Sequence, residues 1–172
     1  LPMVPPGQHG FQTPTGKFEL DSTILRDLGV PGLDSLPTYR PSEDDADPMA
    51  FPMILSTGIR IPGGLHSRLH DCPSPRSLRP NPSADLSLQD AAALDVAAGD
   101  SILIETEHGA VRVLANPTVT MPQGMVSLYH GYREADANSL LSYDHRDPYS
   151  GFPGYRCIRC RVRKEDDHEN HL

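Results

Sequence analysis

The sequence predicts a mainly β protein whose strands close, or nearly close, into a small barrel. Six or seven short runs of strand length are separated by glycine- and proline-rich turns, and only one segment carries both the period and the cap of a secure helix. So many short strands in an open sheet would leave unpaired edges, which closure removes. A length of 172 residues allows one core domain with extensions, and 37% hydrophobic content with 18 prolines requires part of the chain to be irregular.

Taken in order, residues 1–16 read as extended or loose, with Pro2, Pro5, Pro6 and Pro14, and Lys17 to Leu20 as a short strand. Ser22 to Leu28 is expected as a brief helix, capped by Asp21 or Ser22 and stopped by Gly29 and then Pro31. The pair Gly16-Lys17 invites a phosphate-loop reading and fails it. Gly10 lies one residue too far upstream, and Phe18 stands where Ser or Thr would bind magnesium. From Val30 to Pro48 proline and acids dominate, the composition of a linker or of an arm lying over a neighbouring surface.

Phe51 to Leu55 is nearly all apolar, the mark of a strand buried on both faces. It runs into Ser56-Thr57-Gly58, Arg60, Pro62-Gly63-Gly64 and His66-Ser67. Small hydroxyl residues and glycines at a strand end leave backbone N–H groups open to a ligand, and an arginine forks onto phosphate or a planar acceptor. The stretch therefore reads as an anion-cradling loop, with an ordinary Gly/Pro connection as the plain alternative. Four arginines (60, 68, 76 and 79) against Asp71 alone make a basic island, whereas residues 1–50 hold eight acids against three bases.

Pro73 to Pro82 is a Pro/Arg connection, and Ala84 to Ser87 a short strand. Ser87 then caps a helix, with Asp90 three residues on as a variant capping box and Leu88 and the alanines facing inward. Ser101 to Val119 is a β-hairpin about His108-Gly109, its Ile102, Ile104, Val111, Val113 and Ala115 sharing one face. Met125 to Tyr129 is another buried-type strand, ending in His130-Gly131; Asn138 to Leu141 is a helical turn. Asp147 to Gly154 is a rigid loop, Tyr155 to Arg163 a final strand, and the residues beyond it a charged tail. The expected division is an arm and linker over 1–50, a barrel over 51–163 and a tail over 164–172.

A net charge of −8 argues against nucleic acid or an anionic membrane as partner, and no apolar run approaches the ~20 residues of a membrane span. A local basic island on an acidic chain suits one small anionic ligand. Cys72, Cys157 and Cys160 do not make a disulfide framework. Cys157 and Cys160 have metal-knuckle spacing, but on a strand they point to opposite faces and no second pair completes a site. Nor is there a GxSxG elbow, an HExxH or a paired-carboxylate signature of a self-contained hydrolase. The opening at Leu1 without Met reads as an interior start, which leaves the compartment, cytoplasmic or exported, open.

The ordered motifs TPTGKFEL, MILSTGIRIPGGLHS, PSPRSLRPNP, SLQDAAALDVAAGDSILIET, LYHGYREADANSL and DPYSGFPGYRCIRCRV resemble the C-terminal molybdopterin-dinucleotide-binding domain of the DMSO reductase/formate dehydrogenase family, over roughly residues 11–163. The resemblance implies a six-stranded double-psi β-barrel that holds the guanine dinucleotide form of a molybdenum or tungsten bis-pterin cofactor. It assigns Ser56, Thr57, Gly58 and Arg60 to the loop touching pterin and diphosphate, and His66 and Ser67 to that loop's far end. His130 and Gly131 match the strand-end motif, Asn138 the pterin-side amide, Tyr155 and Arg156 the late aromatic/basic pair, and Asp85 an acceptor for the guanine amino group. Plainer roles stay open: the histidines as loop braces, Asn138 as a helix cap, Tyr155 as core.

In this family the metal usually takes a Cys, selenocysteine or Ser from an earlier domain, and an N-terminal Cys-rich iron–sulfur site is common; nothing in this sequence matches either, so the chain alone is expected to be catalytically silent. The implied partners are the remaining domains of the catalytic subunit and, in some members, an electron-transfer subunit; neither nucleic acid nor direct membrane insertion is implied. A stand-alone barrel subunit assembling with a separate catalytic chain is the alternative.

Overall fold

The computed structural model describes residues 10–39, 46–144, 146 and 151–165. The extended start up to residue 9, linker residues 40–45, His145, residues 147–150 of the rigid loop and the tail from 166 lie outside them. The chain divides into two compact units, Leu1–Ser42 and Glu43–Leu172.

In the first unit, α1 (Thr23–Leu28) starts where Ser22 accepts the Leu25 N–H and stops where Gly29 turns left-handed at φ 58°. The strand expected over Lys17 to Leu20 is not formed. The Glu19 carboxylate instead gathers the N–H and hydroxyl of both Thr15 and Thr23, which bends the segment into a turn.

The second unit is a closed barrel of six strands: β1 (Met53–Ile59), β2 (Ser83–Ser87), β3 (Ser101–Glu105), β4 (Ala110–Thr118), β5 (Met125–Tyr129) and β6 (Arg156–Lys164). Around the barrel they run β1-β5-β2-β4-β3-β6. Only β1/β5 and β2/β4 are parallel. Exchanging β1 with β4, β2 with β5 and β3 with β6 leaves the set of neighbour pairs and their senses unchanged. This doubled, interlocked arrangement is the double-psi topology expected from the resemblance. Alternation places Leu55, Leu86, Ile102, Ile104, Val113, Val126, Leu128 and Cys160 inside, all at most 2% exposed.

Ser87 caps α3 (Leu88–Ala93) through the Asp90 N–H, and the Asp90 carboxylate accepts from the Ser87 hydroxyl and the Gly124 N–H. The inward face is narrower than expected: Ala91 is buried, whereas Leu88 is 49% exposed. Pro73–Leu78, expected as a connection, forms the short helix α2 with proline in its first turn. β1 is also longer than its apolar run and continues through Ser56-Thr57-Gly58. Barrel partners on both sides supply the ladder that those small residues could not earn from burial alone.

Candidate functional site

Because β1 and β5 are parallel, their C-terminal ends leave the barrel together. Ile59 pairs with Tyr129, and the His130 N–H donates to the Ile59 carbonyl at 3.1 Å. Arg60 and His130 therefore follow side by side. β6 is antiparallel to β1 and enters at the same rim, with Arg156 paired to Ser56. Both β1 edges are irregular here. The β5 register shifts at Gly58, at φ +101°, and the β6 register shifts opposite Cys157, at φ +64°.

Thr57 fixes the rim. Its N–H and hydroxyl both donate to the Tyr155 carbonyl, at 2.9 and 2.8 Å. The Tyr155 hydroxyl donates to Asn138 Oδ1 at 3.3 Å, and Asn138 Nδ2 donates to Asp136 at 2.8 Å. Asp136, not Asn138, caps the 3-10 turn Ala137–Leu140, so the amide of Asn138 keeps one N–H and one lone pair to offer.

The loop after β1 folds back on itself. Leu65 and Arg68 exchange backbone hydrogen bonds around His66-Ser67, with His66 and Leu69 at φ 55° and 65°. Of the four non-glycine residues with positive φ among the described residues, these two and Cys157 flank this rim, a concentration of backbone strain typical of functional loops. The turn brings the His66 ring to 5.6 Å from that of His130 and leaves Ser67 exposed. His70, only 3% exposed, sits in edge contact with Tyr132 at 4.8 Å and against Gly131, where a Cβ would meet its Nε2 at 2.5 Å.

Charge at the rim is positive. Arg60 and Arg156 are exposed and form no ion pair among the described residues. Burial, with the nearby His66, His70 and Arg60 adding to it, holds the His130 imidazole below the ordinary histidine range. Arg76 and Arg79 are committed elsewhere: Arg76 pairs with Glu134 at 2.5 Å and lies over Tyr132, and Arg79 lies over Tyr129 and donates to its hydroxyl.

The sequence-predicted residues are thus largely gathered: Ser56, Thr57, Gly58, Arg60, His66, Ser67, His130, Gly131, Asn138, Tyr155 and Arg156 belong to one barrel end or to the loops leaving it. Two expectations change. Ser56-Thr57-Gly58 is strand, not loop, and Thr57, 2% exposed, faces the core and holds the rim. Asp85, expected as an acceptor for the guanine amino group, sits mid-strand in β2, paired with Ser127 and Asn116. Its carboxylate accepts from Asn116 Nδ2 at 2.6 Å and the Tyr129 hydroxyl at 3.2 Å. His70 was not expected at the site; its spacing of four from His66 is its only trace in the sequence.

An anionic dinucleotide fits this donor set. Two guanidinium groups, Arg60 and Arg156, are exposed and without an ion pair among the described residues, Gly131 makes room for the His70 ring, and three of the four buried side-chain polar atoms without a partner among the described residues belong to His70 and His130.

Residues 53–158 match a family model described as the molydopterin dinucleotide binding domain. Dopamine dehydroxylase of Eggerthella lenta is 28% identical over 172 residues, covering 90% of this chain and 17% of its own length. Acetylene hydratase of Syntrophotalea acetylenica is 33% identical over 127 residues, covering 71% of this chain and 17% of its own. Among solved structures, acetylene hydratase from Pelobacter acetylenicus matches with a TM-score of 0.72 at 27% identity, over 94% of this chain and 25% of that one. The chain therefore spans 17% of the length of these curated relatives.

Proposed function

We propose that this chain, which belongs to the molydopterin dinucleotide binding domain family, grips the guanine dinucleotide form of a molybdenum or tungsten bis-pterin cofactor for a larger oxidoreductase. One observation carries the reading: parallel β1 and β5 deliver Arg60 and His130 together to the rim where Arg156 begins β6. Guanidinium groups and glycine-opened backbone are the donors a diphosphate needs. When bound, the pterin supplies the sulfur ligands of the metal at which the chemistry takes place.

Within that reading the chain's task is positional. Arg60 and Arg156 donate to diphosphate oxygens, and His66 and His130 line the same anion. The linked Asn138 and Tyr155 read the polar edge of the pterin with the hydrogen-bonding capacity that Asn138 retains. Ser56, Gly58 and Ser67 supply small side chains at the rim, Gly131 makes room for the His70 ring, and Thr57 braces the rim from inside. Asp85 meets the guanine amino group only through lone pairs not taken by Asn116 and Tyr129. Arm and linker (1–50), barrel (51–163) and tail (164–172) are the working division. The remaining domains of the catalytic chain, carrying the metal ligand and any iron–sulfur cluster, are its partners.

The test is extraction of pterin and guanine nucleotide from the complete enzyme bearing Arg60→Ala or Arg156→Ala. Each variant is expected to hold several-fold less cofactor per folded chain. Full cofactor content in both ends this assignment.

A further inference from the structure

The partnerless polar atoms are not spread evenly. Apart from Asp21 Oδ1, those among the described residues are both ring nitrogens of His70, which packs against Gly131, and Nδ1 of His130, the residue before that glycine. A buried donor or acceptor without a partner is destabilising, so an imidazole used only for its shape would be poorly chosen where Phe or Leu would pack at no such cost. His70 is held on every side that the structure shows: the ring lies against Gly131, contacts Tyr132 edge-on, and ends a loop pinned by the Leu65–Arg68 exchange. It is pre-set, yet its hydrogen-bonding capacity is unused, and it stands beside the strand end that carries His130.

We infer that His70 is a further binding residue of this site, donating a ring N–H, directly or through one ordered water, to a phosphoryl oxygen of the bound dinucleotide. A neutral imidazole offers one N–H and one acceptor nitrogen, so one donor per ring is available without adding charge. The oxygen is the group that suits it: an acceptor, brought in at the rim that carries Arg60 and His130, with Gly131 leaving the room in which the His70 ring is seated. Its occupancy would complete a buried donor that is otherwise unsatisfied. This assignment rests on the reading of the rim as the dinucleotide site.

The test compares His70→Gln, which keeps an N–H, with His70→Phe and His70→Met, which keep bulk without one, in the complete enzyme. Two readouts apply: cofactor retained after dialysis, and the difference in thermal midpoint between cofactor-loaded and cofactor-free forms, which reports binding even in a destabilised variant. His70→Gln is expected to stay near wild type, while the apolar variants bind roughly tenfold or more weakly, the scale of a hydrogen bond to a charged group. Equal retention in the Gln, Phe and Met variants overturns the role of His70 while leaving the site itself intact, provided Arg60→Ala still loses cofactor. Loss in His70→Gln as large as in the apolar variants also overturns it. Full retention in Arg60→Ala and Arg156→Ala instead removes the site reading.

Discussion

The Tyr155 carbonyl accepts two hydrogen bonds from one residue, Thr57: its N–H at 2.9 Å and its hydroxyl at 2.8 Å. This double contact closes the barrel between β1 and the entry to β6, beside the bulge at Cys157, and so sets where Tyr155 and Arg156 stand. Thr57→Val keeps the volume and removes only the hydroxyl. It is expected to lower stability by about 1 kcal/mol, read from the midpoint of denaturant unfolding. A Val variant as stable as wild type would show that the hydroxyl does not hold the rim.

Gly131 is required twice over, by φ +100° and by the His70 ring where a Cβ would project. Gly131→Ala is expected to cost roughly 2–5 kcal/mol from backbone strain and overpacking together. Gly154→Ala, with nothing within 4 Å of the added carbon, is the control and should stay within ~0.5 kcal/mol of wild type. Thermal unfolding of the two variants decides it; a harmless Gly131→Ala contradicts the packing described for the strand end.

Much of this was legible in the chain and some was not. The β3/β4 hairpin followed from alternation, Ile102 and Ile104 against Val111 and Val113, and the caps at Ser22 and Ser87 from their side chains. Those are local signals. The β1/β5 pairing joins residues some seventy positions apart, and nothing in either strand's own residues names its partner. β1 ran on through Gly58 because neighbouring strands held it, against glycine's own preference. α2 hid among prolines and buries no residue, so it has no apolar period to read. The site residues were found as chemical types, but the burial of Thr57 and His70 became visible only once the barrel was closed.

Glu105 offers a pH test of the closing strand. Hydrogen bonds from Arg163 and then Arg161 on β6 hold its carboxyl down at about 2, against an ordinary 4.5. A folded-state value below the unfolded one contributes stability that is complete above the ordinary value and lost as pH falls through about 2. The arginines are 45% and 58% exposed, so solvent screens the cluster. Glu105→Gln should therefore cost only about 1 kcal/mol at pH 7, and the difference from wild type should fade as pH falls through about 2. A gap that is independent of pH would contradict the ion pairing.

His130 reports the field at the rim. Burial is the main reason its imidazole titrates low, and the Arg60 charge adds to the effect. Arg60→Ala is expected to move the His130 titration upward toward the ordinary histidine range, followed by NMR with selectively labelled histidine. An unmoved titration would place the Arg60 guanidinium away from His130.

The most direct measurement is an experimental structure of the complete enzyme with its cofactor bound. The expected result has phosphoryl oxygens within hydrogen-bond distance of Arg60 and Arg156, at the end of the barrel where β1 and β5 leave and β6 begins. A cofactor seated at the opposite end, with both guanidinium groups in solvent, would contradict the central claim.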